Sequence, residues 1–420
     1  MTSFSRRLLD FYLLAALLGS ILFLVHSGLQ VWSPQGAIDF HSYWFSGHFV
    51  RQGNDPYVAY FSRSQPALPV YYVDGVVHRE GPISVPGLSV TPANTAPIVL
   101  LLSAFSFLSW LPAKLLWSLF NVGLMLLIPW LVISLLPGKL PWRYTLVIVL
   151  TYYCLQGTRV SIWVGQTTLL TFALMLSSLR ASLRKPLLSG LSLGIALSKY
   201  SLSLPVALFY LYARKYKILF ISLFVQLAAL LILSGLTGTM PYDIGASYVK
   251  MVFHHNTLPG IHFRSLFAQP TWLYYGLLVS GTLLIGLVIA NQYHLHRHKD
   301  STYNIHIFVI LSLWTLLVGY HRAYDTTLVI FFLSLIIYGL NQPDLWHLTP
   351  RQRNLLIGFL SLFILIMAAP FSIVTLFLPL AYGPFWQQII NYAMTLALMI
   401  ALFVSIWLLS RVTSGVVPER

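Results

Sequence analysis

LLDFYLLAALLGSILFLVHSGLQVW, Leu8–Trp32, decides the fold class. A helix rises about 1.5 Å per residue, so a run of this length crosses a hydrocarbon core about 30 Å thick. It is too long for a signal-peptide core, and no small-x-small cleavage site follows, so it reads as an uncleaved anchor. Arg6 and Arg7 precede it and assign the N-terminus to the cytoplasm. Further apolar stretches follow near 93–110, 114–136, 144–157, 163–180, 187–197, 200–213, 217–236, 272–293, 303–320, 325–341, 354–380 and 388–410. With the first run they make about 13 apolar helical segments, and the reading is an all-α polytopic membrane protein.

Composition points the same way. The chain is 57% hydrophobic and 8% charged, whereas a water-soluble domain carries about a quarter charged residues. The 25 Lys and Arg against 10 Asp and Glu do not describe a nucleic-acid surface. They gather at Lys139/Arg143, Arg180/Arg184/Lys185, Arg214/Lys215/Lys217, Arg297/Lys299, Arg351/Arg353 and Arg411, the pattern of short cytoplasmic loops. The single cysteine, Cys154, excludes an internal disulfide framework. No charge-rich linker, low-complexity tract or repeat divides the chain. The expectation is one membrane domain, 1–420, with two sizeable extracytoplasmic loops at 33–92 and 237–271.

Charge parity adds two expectations. Both flanks of 187–213 are basic, yet the stretch is too short for two full crossings. It reads as two short helices that dip in and return, with Lys199 near the apex, since irregular backbone at membrane depth needs a protein-lined or watery cavity. Likewise 93–136 should make one net crossing, with one of its two apolar pieces short or re-entrant. Asp39, Asp55, Asp74, Glu80, Asp243 and Asp325 then fall on the extracytoplasmic side, where the chemistry is expected.

The stretch DFHSYWFSGHFVRQGNDPY, 39–57, opens the first of those loops. Phe40, Tyr43, Trp44 and Phe45 form an aromatic face, with His41, Ser42 and His48 polar, as in an interfacial helix. Gly53-Asn54-Asp55-Pro56-Tyr57 then ends it in a turn. Asp39 has two readings: a helix cap, or a general base at the lip of a low-dielectric cavity. Lys199 is either a phosphate-binding cation or a snorkelling side chain. Arg159 either binds phosphate or anchors a helix end. In the second loop, Tyr248, Lys250, His254, His255, His262 and Arg264 offer hydrogen bonds; adjacent imidazoles without acids make a poor metal site. Arg322 and Asp325, three residues apart, either pair with each other or bind substrate.

Asp39-Phe40 with Tyr43-Trp44, followed by Gly53 to Tyr57, resembles the first extracytoplasmic loop of membrane glycosyltransferases with the GT-C fold. Most similar is family 87, the polyprenyl-phosphate-dependent mannosyl- and arabinofuranosyltransferases. Pro92-Ala93-Asn94 through Trp117, Gly165-Gln166-Thr167-Thr168-Leu169-Leu170, and Ser189-Gly190 through Lys199 resemble further family segments in the same order. Thr168 stands where the family often has Asn, and Ser201 where it has a Thr-Pro pair. The resemblance covers the first half well, through residue 215.

The resemblance implies an extracytoplasmic transferase moving mannose or a pentofuranose from a polyprenyl-phosphate donor to a glycan, glycolipid or protein acceptor. Transfer would be inverting, with Asp39 as general base. Lys199, Arg159, Arg264 and Arg322 would bind the donor phosphate; His41, Tyr43, Gln166, His254, His255 and Asp325 would contact substrate. No metal or cofactor is expected, and the location is the bacterial plasma membrane. Neither a P-loop nor a Rossmann glycine fingerprint argues for a nucleotide donor. The competing readings are a lipid-linked-sugar flippase, suggested by the broken helices, and an envelope glycan polymerase or ligase.

Overall fold

A computed structural model of the chain describes residues 3–32, 36–57, 71–73, 76–78, 94–255, 261, 272–295, 301–318, 322–342, 344–368 and 384–412. In chain order the helices are α1 (Ser3–Trp32), α2 (Ile38–Arg51), α3 (Ala96–Ser103), α4 (Trp110–Leu135), α5 (Trp142–Cys154), α6 (Gln156–Val164), α7 (Thr168–Ala181) and α8 (Pro186–Ala196). There follow α9 (Tyr200–Tyr212), α10 (Tyr216–Thr237), α11 (Pro241–His255), α12 (Trp272–Leu295), α13 (Ser301–Val318), α14 (Ile330–Asn341), α15 (Pro350–Ala368) and α16 (Pro384–Arg411). Short 3₁₀ segments cover Ala104–Phe107, Leu197–Lys199 and Ala323–Val329. A two-stranded antiparallel hairpin, β1 (Tyr71–Val73) and β2 (Val76–His78), is the exception to helix among the described residues.

Seven helical runs among the described residues are long and apolar enough to cross a membrane, or eight if the broken pair α5 and α6 forms one span. The protein is a multi-pass membrane protein. Leucines and phenylalanines stay exposed along α1, α4, α10 and α15, as expected where the surrounding solvent is hydrocarbon.

The chain divides into two compact units, 1–23 with 132–158 and 259–420, and 24–131 with 159–258. In the first, α14 is buried along almost its whole length. Phe332 packs on Phe363 of α15, with ring centroids 5.1 Å apart, and Phe331 on Phe308 of α13 at 4.6 Å. Gly157 lets the start of α6 approach the Ala323–Val329 turn, since a Cβ there would lie 2.6 Å from the Thr327 nitrogen.

In the second unit α8 lies against α10. Gly190 and Gly194, one helical turn apart, face Ile221 and Val225; a Cβ on either glycine would come within 2.6 Å of the facing Cβ. Small residues at this spacing let membrane helices pack backbone to backbone, where lipid supplies no hydrophobic drive. Gln226 strengthens the contact by donating to the Gly194 carbonyl at 2.6 Å. Gly194→Leu is therefore expected to push α8 from α10 and cost about 1–3 kcal/mol of overpacking. Thermal unfolding of the purified protein would register it. Gly235→Ala on α10, with nothing within 4 Å, should leave the midpoint unchanged.

One sequence expectation holds and another needs correction. Residues 187–213 turn back: the Tyr210 hydroxyl near the end of α9 lies 3.2 Å from Ser189 Oγ near the start of α8. Lys199 breaks the helix at φ −110° and ψ 70°, and α10, which follows α9, begins beside the start of α8, where a Cβ on Gly190 would lie 3.0 Å from the Ile218 carbonyl oxygen. Lys199 thus sits at the tip of the hairpin, and the basic clusters before α8 and after α9 lie at the same end of it. The correction concerns α2. It is present, but Phe40, Tyr43, Trp44, Phe45 and Phe49 are buried in protein rather than spread on a bilayer surface. Gly47 marks the closeness, because a Cβ would lie 2.8 Å from the Ser103 Cα. In 93–136 the short piece is α3, eight residues long, ahead of the full-length α4.

Candidate active site

The site is built on the sharp turn between α6 and α7. Gly165 has φ +67°, and a Cβ there would lie 2.9 Å from the Cβ of Phe40. Only glycine satisfies both the left-handed backbone and the close approach. The turn is tied to the start of α2 by the Ala37 N–H, which donates to the Trp163 carbonyl at 2.8 Å. From the other side the Trp117 indole N–H donates to the Gly165 carbonyl at 2.8 Å. Phe40 lies between, stacked on Trp117 with centroids 5.1 Å apart and on Trp110 at 5.9 Å.

Next in the chain, Gln166 reaches Asp39. Its side-chain N–H donates to Asp39 Oδ2 at 2.8 Å, while its carbonyl oxygen accepts the Thr167 N–H at 3.1 Å. Both ends of the amide are engaged, which fixes its orientation. Asp39 is not the helix cap: Ala37 holds that position, and Asp39 lies in the first turn of α2. There the helix dipole favours the ionised carboxylate. Asp39 is half-buried.

Thr167 and Thr168 carry the site onward. Thr167 Oγ1 is 3.1 Å from the Tyr43 hydroxyl and accepts from Asn94 Nδ2 at 3.1 Å. Asn94 also donates to Tyr43 Oη and accepts from the Tyr57 hydroxyl at 2.7 Å. Lys199, 7% exposed, donates from Nζ to Thr168 Oγ1 at 2.5 Å. Its turn is pinned by neighbouring Ser198, whose backbone carbonyl takes the Thr95 N–H at 3.0 Å and whose hydroxyl takes the Ile98 N–H at 3.2 Å. These are free N–H groups of the α3 start.

A cavity of about 510 Å³ opens beside this network. Phe220, Phe224, Leu227 and Leu230 of α10 line it with Ile244 and Tyr248 of α11. Phe220 and Phe224 are largely exposed, so its wall continues into the helix surface. Tyr57 also lines it, and its hydroxyl donates to the Asn94 backbone carbonyl. Burial pushes the phenols of Tyr57 and Tyr248 above the usual range, so both remain neutral hydrogen-bond donors.

The expected site residues divide as follows. Asp39, Tyr43, Gln166 and Lys199 converge on the α6–α7 turn. His41 packs edge-on against Trp110, centroids 4.9 Å apart. Arg159 is buried on α6, four residues before Trp163. Asp325 and Arg322 belong to the other unit, with Asp325 buried, Arg322 exposed, and the Asp325 N–H donating to the Arg322 carbonyl at 2.9 Å. His254 and His255 close α11, but their side chains lie outside the described residues, as does Arg264 entirely. Among the described residues no group of three or more His, Cys, Asp and Glu could hold a metal ion.

Sequence reasoning did not single out Lys114, Asn94 or Tyr57. Lys114 carried a usable signal, a lone lysine in an apolar helix; Asn94 entered only as part of the resemblance.

No curated protein and no solved structure matches the chain. The model of glycosyltransferase family 87 matches residues 94–336, which takes in Asn94, the α6–α7 turn and Lys199 and begins beyond Asp39. More than half of the chain fits that family, and the protein belongs to glycosyltransferase family 87.

Proposed function

We propose that this glycosyltransferase moves a sugar, mannose or a pentofuranose, from a polyprenyl-phosphate donor to a hydroxyl-bearing acceptor, with inversion. Asp39 takes the proton of the attacking hydroxyl, and Lys199 receives the departing phosphate. The observation that carries this reading is the segment Gln166–Thr168, which holds Asp39 at one end and Lys199 at the other. Two residues of chain span at most ~7 Å. A base and a cation so arranged can flank one anomeric carbon.

The surroundings of Lys199 support the anion. Thr168 is the first residue of α7, where the helix dipole is already positive. The ammonium and the helix dipole together would favour a phosphate placed between them, as at other helix N-termini that bind phosphate. Of the other described acids of this unit, Asp55 accepts the Tyr57 N–H on Oδ1 at 2.8 Å, and Asp243 is exposed on α11. One carboxylate at the turn suits inversion, whereas double displacement needs a second as nucleophile. The apolar cavity along α10 suits a lipid-borne substrate. The site would face the extracytoplasmic side of a bacterial plasma membrane, where lipid-linked sugars replace nucleotide sugars.

The test is sugar transfer by membranes containing the full chain. Polyprenyl-phosphate mannose and polyprenyl-phosphate arabinofuranose are offered beside the corresponding nucleotide sugars, with a panel of envelope glycans and glycolipids as acceptors. Transfer from a polyprenyl-phosphate sugar, giving a product of inverted anomeric configuration, is expected. Transfer from the nucleotide sugars alone would overturn the donor class; a retained configuration would overturn the single-base mechanism.

A further inference from the structure

The cavity along α10 has two unlike ends. Its limits on that helix are Phe220 and Leu230, about 15 Å apart along the axis. At one end Leu230 and Tyr248 pack on the buried cluster that holds Tyr57 and Ile244, and the Tyr248 ring meets the Tyr57 ring edge-on, centroids 5.6 Å apart. This end adjoins the reaction site. Tyr57 is bonded to Asn94, which donates to Thr167. The Tyr248 phenol lies near enough to those of Tyr43 and Tyr200, the residue after Lys199, for both to oppose its ionisation. At the other end Phe220, Leu223 and Phe224 line the cavity and are largely exposed on a helix long and apolar enough to span. An occupant that enters there comes from the bilayer.

Most polar groups of the wall are already engaged. Thr95 Oγ1 donates to Gln226 Oε1 at 2.7 Å, Gln226 Nε2 to the Gly194 carbonyl at 2.6 Å, and Tyr57 Oη to the Asn94 carbonyl at 2.7 Å. Tyr248 Oη is buried with no hydrogen-bond partner among the described residues, and it belongs to the inner end. The length along α10 therefore suits hydrocarbon, since a polar group there would go unpaired. The inner wall indicates which hydrocarbon. Thr95 lines the cavity and donates its N–H to the carbonyl of Ser198, next to Lys199. Gly245 leaves room for it: this residue lines the cavity on the same face of α11 as Ile244 and Tyr248, and a Cβ there would meet nothing within 4 Å.

We propose that this cavity seats the first few isoprene units of the donor, next to its phosphate, and that the enzyme reads only this part of the chain. The inference rests on the reading of the donor as a lipid-linked phosphosugar. The remainder of the chain lies in the bilayer beyond Phe220. Affinity rises with chain length until the cavity is full and then levels off, because further units only exchange one hydrocarbon surrounding for another. Gly245 is a specificity-determining residue that touches the chain and takes no part in the transfer.

The experiment uses the full-length protein in lipid nanodiscs, as wild type and Gly245→Leu. Dissociation constants are measured for isopentenyl, farnesyl and long-chain polyprenyl phosphate, referred to their concentrations in the membrane. Wild type is expected to bind farnesyl phosphate about tenfold or more tightly than isopentenyl phosphate, and polyprenyl phosphate within about threefold of farnesyl phosphate. Gly245→Leu should weaken the two longer ligands by about tenfold, the loss of about two buried methylenes, and leave isopentenyl phosphate and the acceptor KM within about twofold. Farnesyl phosphate binding within about twofold of wild type in folded Gly245→Leu would overturn the assignment. So would a raised acceptor KM with unchanged phosphate binding, which would give the cavity to the acceptor's lipid. A photoactivatable farnesyl phosphate supplies a reading that needs no variant: label on α11 or on α10 within 220–230 is expected, and label confined to other helices overturns the seat. Should wild type bind none of the phosphates, the donor reading itself fails; should it bind them with label elsewhere, only the seat fails.

Discussion

Asp39→Asn is expected to lower sugar transfer by about 10²–10⁴-fold, the usual worth of a positioned general base. That is about 3–5 kcal/mol on the activation barrier. The substitution is close to isosteric and keeps an oxygen that can accept the Gln166 N–H, now 2.8 Å from Asp39 Oδ2. What disappears is the basic lone pair that takes the hydroxyl proton. The loss should fall on kcat, with the donor KM and the thermal midpoint near wild type. Steady-state kinetics on protein-matched membranes, with a binding measurement for polyprenyl phosphate, separates these quantities. A variant with wild-type turnover would reduce Asp39 to a dipole-compensating residue in the first turn of α2.

Lys199→Met is expected to cost about 10²–10³-fold in transfer, comparable to removing one preorganised donor aimed at developing charge. Its effect on stability should have the opposite sign. Lys199 is buried at the turn between α8 and α9, and an ammonium among apolar helices is costly by about 2.5–3.5 kcal/mol on insertion scales. A methionine of similar length removes that cost, so the thermal midpoint should hold or rise as activity falls. This combination distinguishes a phosphate-binding lysine from a structural one: lysine serving mainly to hold Thr168, at 2.5 Å, would lose stability and activity together. A lowered midpoint with proportionate loss of transfer would assign Lys199 to the fold.

Individual charges were legible because they are expensive. Asp39 and Lys199 stand out in a chain with 8% charged residues, and the structure places each in a defined hydrogen-bonded setting. Lys114 obeys the same logic, yet that its helix packs on the start of α2 came only from the stacking of Trp110 and Trp117 on Phe40. Asn94, Tyr57 and Thr167 entered only as parts of resembling motifs, with no role of their own, for a different reason. Neutral polar residues are cheap enough to occur anywhere in a loop, so only their mutual hydrogen bonds give them meaning. The hairpin at 187–213 was legible from the basic clusters on both its flanks, and the Ser189–Tyr210 contact at 3.2 Å shows that the chain turns back there. One error has an equally specific cause. An aromatic face on α2 looks the same whether it meets lipid or protein, so hydropathy assigned it to the bilayer and packing buried it.

By itself the sequence determined that this is a multi-pass helical membrane protein and which acid and lysine are worth testing. Both follow from local quantities: the length of apolar runs against the thickness of hydrocarbon, and the cost of a charge placed among them. Only the tertiary structure decided that the two belong together. Gln166 and Asp39 are 127 residues apart, and Lys199 meets Thr168 across 31. No local periodicity encodes such pairings. They depend on Gly165 turning the chain at positive φ against Phe40, and on Gly190 and Gly194 admitting α10 to the face of α8, close approaches that exist only once the helices have packed.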